Sequence, residues 1–169
     1  DLFGYQKDPE DKNHLLIDEE TAPIVRQIFG WALEGKGPNF IRRRLEEQKS
    51  PCPTWWNRQR GFRNVRTKWE KKDPENGKYI WDFSVIKDIL QNPVYIGAIA
   101  SQKKDYRFKI GTIGEKKPED WIVVEGQHEP LVDKKSFDIV QGKLKSRQRP
   151  GASGEISLFA GLIKCGECG

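Results

Sequence analysis

The sequence predicts an α+β fold, mainly helical, with a small antiparallel sheet. Four segments, at about 19–34, 38–48, 83–92 and 133–146, repeat apolar residues at helical spacing. Two short runs rich in strand formers, Tyr95 to Ala100 and Trp121 to Val124, flank a polar stretch holding the turn glycines Gly111 and Gly114. That is the pattern of a long hairpin or of two strands in a small sheet. The length of 169 residues allows one domain with a real core.

Taken in order, Phe3-Gly4-Tyr5 and Leu15-Leu16-Ile17 are short extended pieces around the polar turn Asp8-Pro9-Glu10-Asp11. The first helix follows, from about Glu19 to Glu34, with Asp18 or Thr21 as its cap and acids in its first turn. Ala22, Val25, Phe29 and Ala32 form its apolar face. Pro23 fits a helix only in the first turn, which argues for the later start, and Gly35 and Gly37 stop it. In the second helix, about Pro38 to Gln48, Phe40, Ile41 and Leu45 share one side. Arg42 with Glu46, and Arg43 with Glu47, are spaced for ion pairs, which leaves Arg44 without such a partner. Residues 52–80 carry Asn, Gly and Pro punctuation and read as a long loop or irregular arm.

The third helix, about Phe83 to Asn92, is the clearest. Asp82 caps it and Pro93 closes it. Phe83, Ile86, Ile89 and Leu90 fall on one side; Ser84, Lys87, Asp88 and Gln91 fall on the other. A fourth helix, about Asp133 to Ser146, places Phe137, Val140 and Leu144 together. Residues 147–157, with Pro150, Gly151 and Gly154, read as a linker, and residues 158–169 lead into Cys165 and Cys168.

Charge is the informative part of the composition. The chain has 30 basic and 25 acidic residues, a formal net of +5. From Trp55 to Ile80 stand eight basic residues, Arg58, Arg60, Arg63, Arg66, Lys68, Lys71, Lys72 and Lys78, against the three acids Glu70, Asp73 and Glu75. All the excess charge therefore sits in this window, and a concentrated basic stretch is the footprint of a polyanion partner. Trp55, Trp56, Phe62 and Trp69 interleave with it. The window reads as an arm whose guanidiniums meet DNA phosphates, and the alternative is a solvated loop whose aromatics cap the core. The tryptophans read as core anchors rather than base stackers.

The polar face of the third helix offers Ser84, Lys87, Asp88 and Gln91, groups of the kind that read base edges in a major groove. The second helix would cross the backbone, as in a helix-turn-helix, across a connection far longer than the usual tight turn. An ordinary surface helix shows the same two-faced pattern. Cys165 and Cys168 form a C-x-x-C with a glycine after each, the knuckle of half a zinc ribbon, whose other two ligands would lie outside the chain. A redox dithiol and a pair of free thiols are the alternatives. No phosphate loop, H-E-x-x-H or G-x-S-x-G motif occurs, and His128, beside Pro130, reads as structural. No apolar run is long enough to span a bilayer and no signal-peptide pattern opens the chain. Three cysteines fit a reducing cytoplasm. The start at Asp1 and the absence of Met suggest an internal piece of a longer protein.

An ordered set of motifs then becomes specific. Gly4-Tyr5 precedes Ile17-Asp18, Ile24-Val25-Arg26-Gln27-Ile28-Phe29 and the stretch from Gly35 to Leu45. Trp81, Ile86, Ile89-Leu90, Asn92-Pro93 and Tyr95-Ile96-Gly97 follow, then His128-Glu129-Pro130-Leu131-Val132, Phe137 and Val140-Gln141. Leu158, Gly161-Leu162-Ile163 and Cys165-Gly166-Glu167-Cys168-Gly169 complete the set. Together these resemble the recombinase domain of the large serine recombinases, running into the first knuckle of their zinc ribbon. Phage integrases and the recombinases of conjugative transposons belong to that family.

The resemblance implies a recombinase domain over residues 1–146, interrupted by a basic insertion at 52–80. It implies a DNA-binding module that recognises part of an attachment-site half during integration or excision of a mobile element. Its partners would be double-stranded DNA and other recombinase subunits. The catalytic serine would lie in a separate domain, so no chemistry is assigned to this chain, and zinc would belong to the full-length protein. The expected DNA contacts are Ser84, Lys87 and Gln91, carried over on the third helix, with Arg58, Arg60, Arg63, Arg66 and Lys68 of the insertion read from its charge, and Arg44. The alternative is a protein–protein or subunit-docking module without direct DNA readout.

Overall fold

A computed structural model of the chain describes residues 2–11, 14–62, 77–107, 111–116 and 120–146. Among these residues there are five α-helices and three two-stranded antiparallel ladders, and the core is built from the helices and the first ladder. Strand β1 (Tyr5–Lys7) pairs with β2 (Leu15–Ile17), Tyr5 opposite Ile17. Helix α1 (Ala22–Leu33) buries Val25, Ile28, Phe29 and Ala32. It starts late, as Pro23 requires, so Glu19 and Glu20 precede it and no acid stands in its first turn. Thr21 holds the cap position, but its hydroxyl does not cap the helix. It accepts from Gly4 N at 3.0 Å and donates to the Asp18 carboxylate instead.

Helix α2 (Pro38–Glu47) buries Ile41 and Leu45. Phe40, expected beside them, is 42% exposed, and the Lys36 ammonium covers its ring from 5.1 Å. The ion pairs also differ in part from the spacing rule. Arg42 meets Glu46 at 3.1 Å, but Glu47 pairs with Arg44 at 3.0 Å rather than with Arg43. Both i,i+3 and i,i+4 neighbours are in reach on a helix, and here the former wins. The predicted arm begins with a further helix, α3 (Pro53–Gln59), which Pro53 opens in the first helical turn. A turn of 3-10 helix, Gly77–Tyr79, lies at its other end. Cys52 N donates to Lys78 O at 2.8 Å, which closes the arm at its base.

Helix α4 (Phe83–Gln91) has the predicted cap: the Asp82 carboxylate accepts from Ser84 N and from the Ser84 hydroxyl, each at 3.0 Å. Ile86, Ile89 and Leu90 are buried. Phe83 is 44% exposed, because it lies in the first turn at the edge of the apolar stripe, next to Lys87. The apolar run that follows is not one strand. Pro93–Ile96 forms a 3-10 turn, and only Ile99–Ser101 is extended, as β3. Strands β4 (Lys104–Arg107) and β5 (Gly111–Glu115) make the outer part of a long hairpin, and β6 (Ile122–Val124) returns to pair with β3. Trp121 precedes β6, and Gly114 lies within β5 opposite Asp105 rather than in a turn. Helix α5 (Lys134–Ser146) buries Phe137 and Val140 and packs on α1 and α4.

Buried aromatic rings join these pieces. Tyr5 and Tyr95 stack at 6.2 Å, and Phe29 meets Phe137 at 6.1 Å. The Tyr5 hydroxyl donates to Glu129 O at 2.8 Å and accepts from Leu131 N at 3.1 Å; burial pushes its pKa up to about 12. Trp81 is 1% exposed, donates from Nε1 to Ser50 O at 2.9 Å, and donates from its backbone N to Glu46 at 3.2 Å. It thereby ties the end of α2 to the start of α4. Emptying the volume of a buried tryptophan costs about 3–5 kcal/mol. His128 is structural, as its sequence context indicates: buried, edge-on to Tyr5, with Nε2 2.7 Å from Val94 O. No helix among the described residues is long and apolar enough to cross a membrane.

Candidate nucleic-acid interface

Helix α4 is held from three sides, by α1, α2 and α5. Gln141 Nε2 donates to Leu90 O at 2.7 Å, fixing its last turn to α5. The remaining side faces outward. Ser84, Lys87 and Asp88 are exposed and Gln91 is half-buried. Amphipathic periodicity alone places these groups together, and packing of Ile86, Ile89 and Leu90 leaves them in solvent. Ser84 is committed to the cap, which orients the first turn. The long connection does not separate the helices: α2 packs directly on α4.

The predicted contacts from α2 and the arm divide. Arg44 is exposed on α2 and bound to Glu47, so it does have a partner. Arg58 is exposed in the last turn of α3. Arg60 is turned inward. Its guanidinium meets Asp18 at 2.6 Å and Glu20 at 3.4 Å, and lies 5.5 Å above the Trp56 ring. Asp18 is 4% exposed. Burial alone would raise its pKa, but the Thr21 hydroxyl and the Arg60 guanidinium outweigh it and hold the carboxyl below its ordinary range. Arg60 therefore anchors the arm to the entrance of α1. Trp55 packs against the core and contacts Trp56 edge-on at 5.0 Å, which supports the anchoring role for these rings. Arg63, Arg66, Lys68, Cys165 and Cys168 lie outside the described residues.

Sequence reasoning missed a second set of cations. An open cleft of about 480 Å³ separates the end of α4 from the base of the β4–β5 hairpin. Asp88 and Gln91 line it from the helix; Lys103, Lys104, Lys116 and Trp121 line it from the hairpin. Two lysine doublets, 103–104 and 116–117, were the available signal. Neighbouring acids such as Asp105, Glu115 and Asp120 cancel them in a running charge count. Among the described residues no three His, Cys, Asp or Glu side chains group to hold a metal.

Against this geometry the family comparison is direct. Residues 19–147 match the family model described as Recombinase. The chain belongs to the Recombinase family. The recombinase domain to which the sequence motifs pointed is thereby shown. A Bacillus subtilis (strain 168) "Putative DNA recombinase" is 26% identical over 179 residues, covering 99% of this chain and 32% of its own length. An "Uncharacterized protein YefB" of the same organism is 33% identical over 90 residues, 52% of this chain and 30% of its own length. The chain thus spans about a third of the length of these relatives. A solved structure described as "Crystal Structure of a LSR-DNA Complex" shares the fold at a TM-score of 0.50 and 23% identity, covering 99% of this chain and 40% of that one.

Proposed function

We propose that this chain is the DNA-binding module of a site-specific serine recombinase. In this reading it recognises part of an attachment-site half during integration or excision of a mobile element, alongside other subunits of the same recombinase. The observation that carries it is the outward polar face of α4, Ser84, Lys87, Asp88 and Gln91, on a helix whose other sides are buried against three helices. A rigidly backed helix with one free polar face suits entry into a major groove. The relative named as a DNA recombinase and the likeness to a protein–DNA complex support the same partner. The cut-and-rejoin chemistry would belong to a separate serine domain. Cys165 and Cys168 would supply two of four zinc ligands in the full-length protein.

The test is a base-substitution panel around the duplex that the chain selects from random DNA. Lys87→Ala and Gln91→Ala should each change preference at one or two base positions, by about 1–3 kcal/mol. Unchanged preference in both variants would remove α4 as the reading element. One observation favours a docking role instead. Ile122, Val123 and Val124 of β6 are 49%, 45% and 48% exposed, an apolar stretch open to a protein partner. Loss of self-association on Val123→Lys, with DNA binding untouched, would show a separate docking surface. No selection of any duplex would leave docking as the function.

A further inference from the structure

The cleft beside α4 gathers three lysines, Lys103, Lys104 and Lys116. Lys116 N donates to Lys103 O at 2.9 Å, so two lysines 13 positions apart sit on bonded backbone groups. Trp121 fixes both: its Nε1 donates to Lys116 O at 3.0 Å, and its ring lies 4.9 Å from the Lys103 ammonium. Lys104 lines the same space from the start of β4. Among the described residues no ion pair engages any of the three, whereas Lys134 takes Glu125 at 2.8 Å. The Lys116 ammonium has a long contact, 3.5 Å, to the Gln102 amide oxygen. Asp88 is the carboxylate lining the helix side, and Glu115 stands across the ladder from Lys104. Like charges collected in a half-open cleft repel one another, and an anionic ligand relieves that repulsion.

Gln91 says which anion. It lies at once on the polar face of α4 and in the cleft wall. A duplex seated on that face would bring its sugar–phosphate backbone over the hairpin lysines. We propose that the cleft is a phosphate seat, in which Lys103, Lys104 and Lys116 grip the DNA backbone flanking the groove that α4 reads, with Trp121 as the platform that positions Lys103 and Lys116. This rests on the DNA reading above. It adds a sequence-independent contact surface outside the basic arm, which sets the register of α4 on the duplex.

The experiment compares the full chain with its Lys103→Gln/Lys104→Gln/Lys116→Gln variant and the matching triple Arg variant. Binding is measured across a salt series, on a random duplex pool and on the duplex the wild type selects. The Gln variant should lose roughly 10–100-fold in affinity on both DNAs, and its log–log salt slope should be shallower by about 2–3. The Arg variant should keep both slope and affinity. Unchanged slope and affinity in the Gln variant, with α4 base preferences intact, would overturn the phosphate seat and leave the DNA reading standing. A change in base preference at constant slope would also overturn it. Failure of the wild type to bind any duplex would bring down both. Circular dichroism checks folding; should the triple variant unfold, Lys103→Gln and Lys116→Gln singly should each shift the slope by about 0.9.

Discussion

Arg60 and Asp18 lie 42 residues apart and meet at 2.6 Å. A surface ion pair contributes little, but this one is nearly closed to solvent at the Asp18 end, and Thr21 and Gly4 extend it into the core. Asp18→Asn removes the charge while keeping the shape, and leaves the Arg60 guanidinium partly buried beside Trp56 without its main counter-ion. The expected loss is about 2–3 kcal/mol at pH 7 by urea unfolding. The pH dependence follows from the depressed carboxyl. Its contribution is complete above the ordinary unfolded value near pH 4 and disappears as pH falls through the lower folded value. The stability gap between wild type and D18N should therefore close on acidification below about pH 4. A gap constant down to pH 2 would contradict the ion-pair account. Arg60→Ala should destabilise similarly, and for that reason it is a poor probe of phosphate contact.

At the scale of elements, the four long helices were legible because each announces itself within a few residues. Pro23 and Pro38 mark first turns, Asp82 caps α4, and buried positions recur at helical spacing. Helix α3 was not legible, since it is short, buries no residue fully, and overlaps the basic window. The strand boundary failed at Gly97, where the chain must turn with φ at +78°. A Cβ there would stand 2.8 Å from the backbone O of His128, a residue whose buried ring is bonded to Val94 O. Gly97→Ala should thus combine left-handed strain with a clash and lower stability by about 1–3 kcal/mol, read from the thermal midpoint. Gly111→Ala has a positive φ but open space around it, so it should cost less, about 1 kcal/mol. Equal costs at the two sites would mean that the contact with His128 is irrelevant.

For the whole molecule, the net charge of +5 resides in the arm, while the cleft lysines are balanced elsewhere in sequence. If about five basic groups meet phosphates, the salt slope of DNA binding should be roughly −4 to −5, measured by anisotropy titration. A slope near zero would reject phosphate contact altogether. What the sequence alone determined is local: helix positions, the cap of α4, its polar face, and the motif order that marks the family. Those signals operate over one or two helical turns, so spacing encodes them directly. Only the tertiary structure decided which charges find partners. Arg60 turns to Asp18, Glu47 chooses Arg44, and Lys103 joins Lys116 through the hairpin. Except for the Glu47 choice, these outcomes depend on chain closure over long separations, and no periodicity along the sequence records what closure brings into contact.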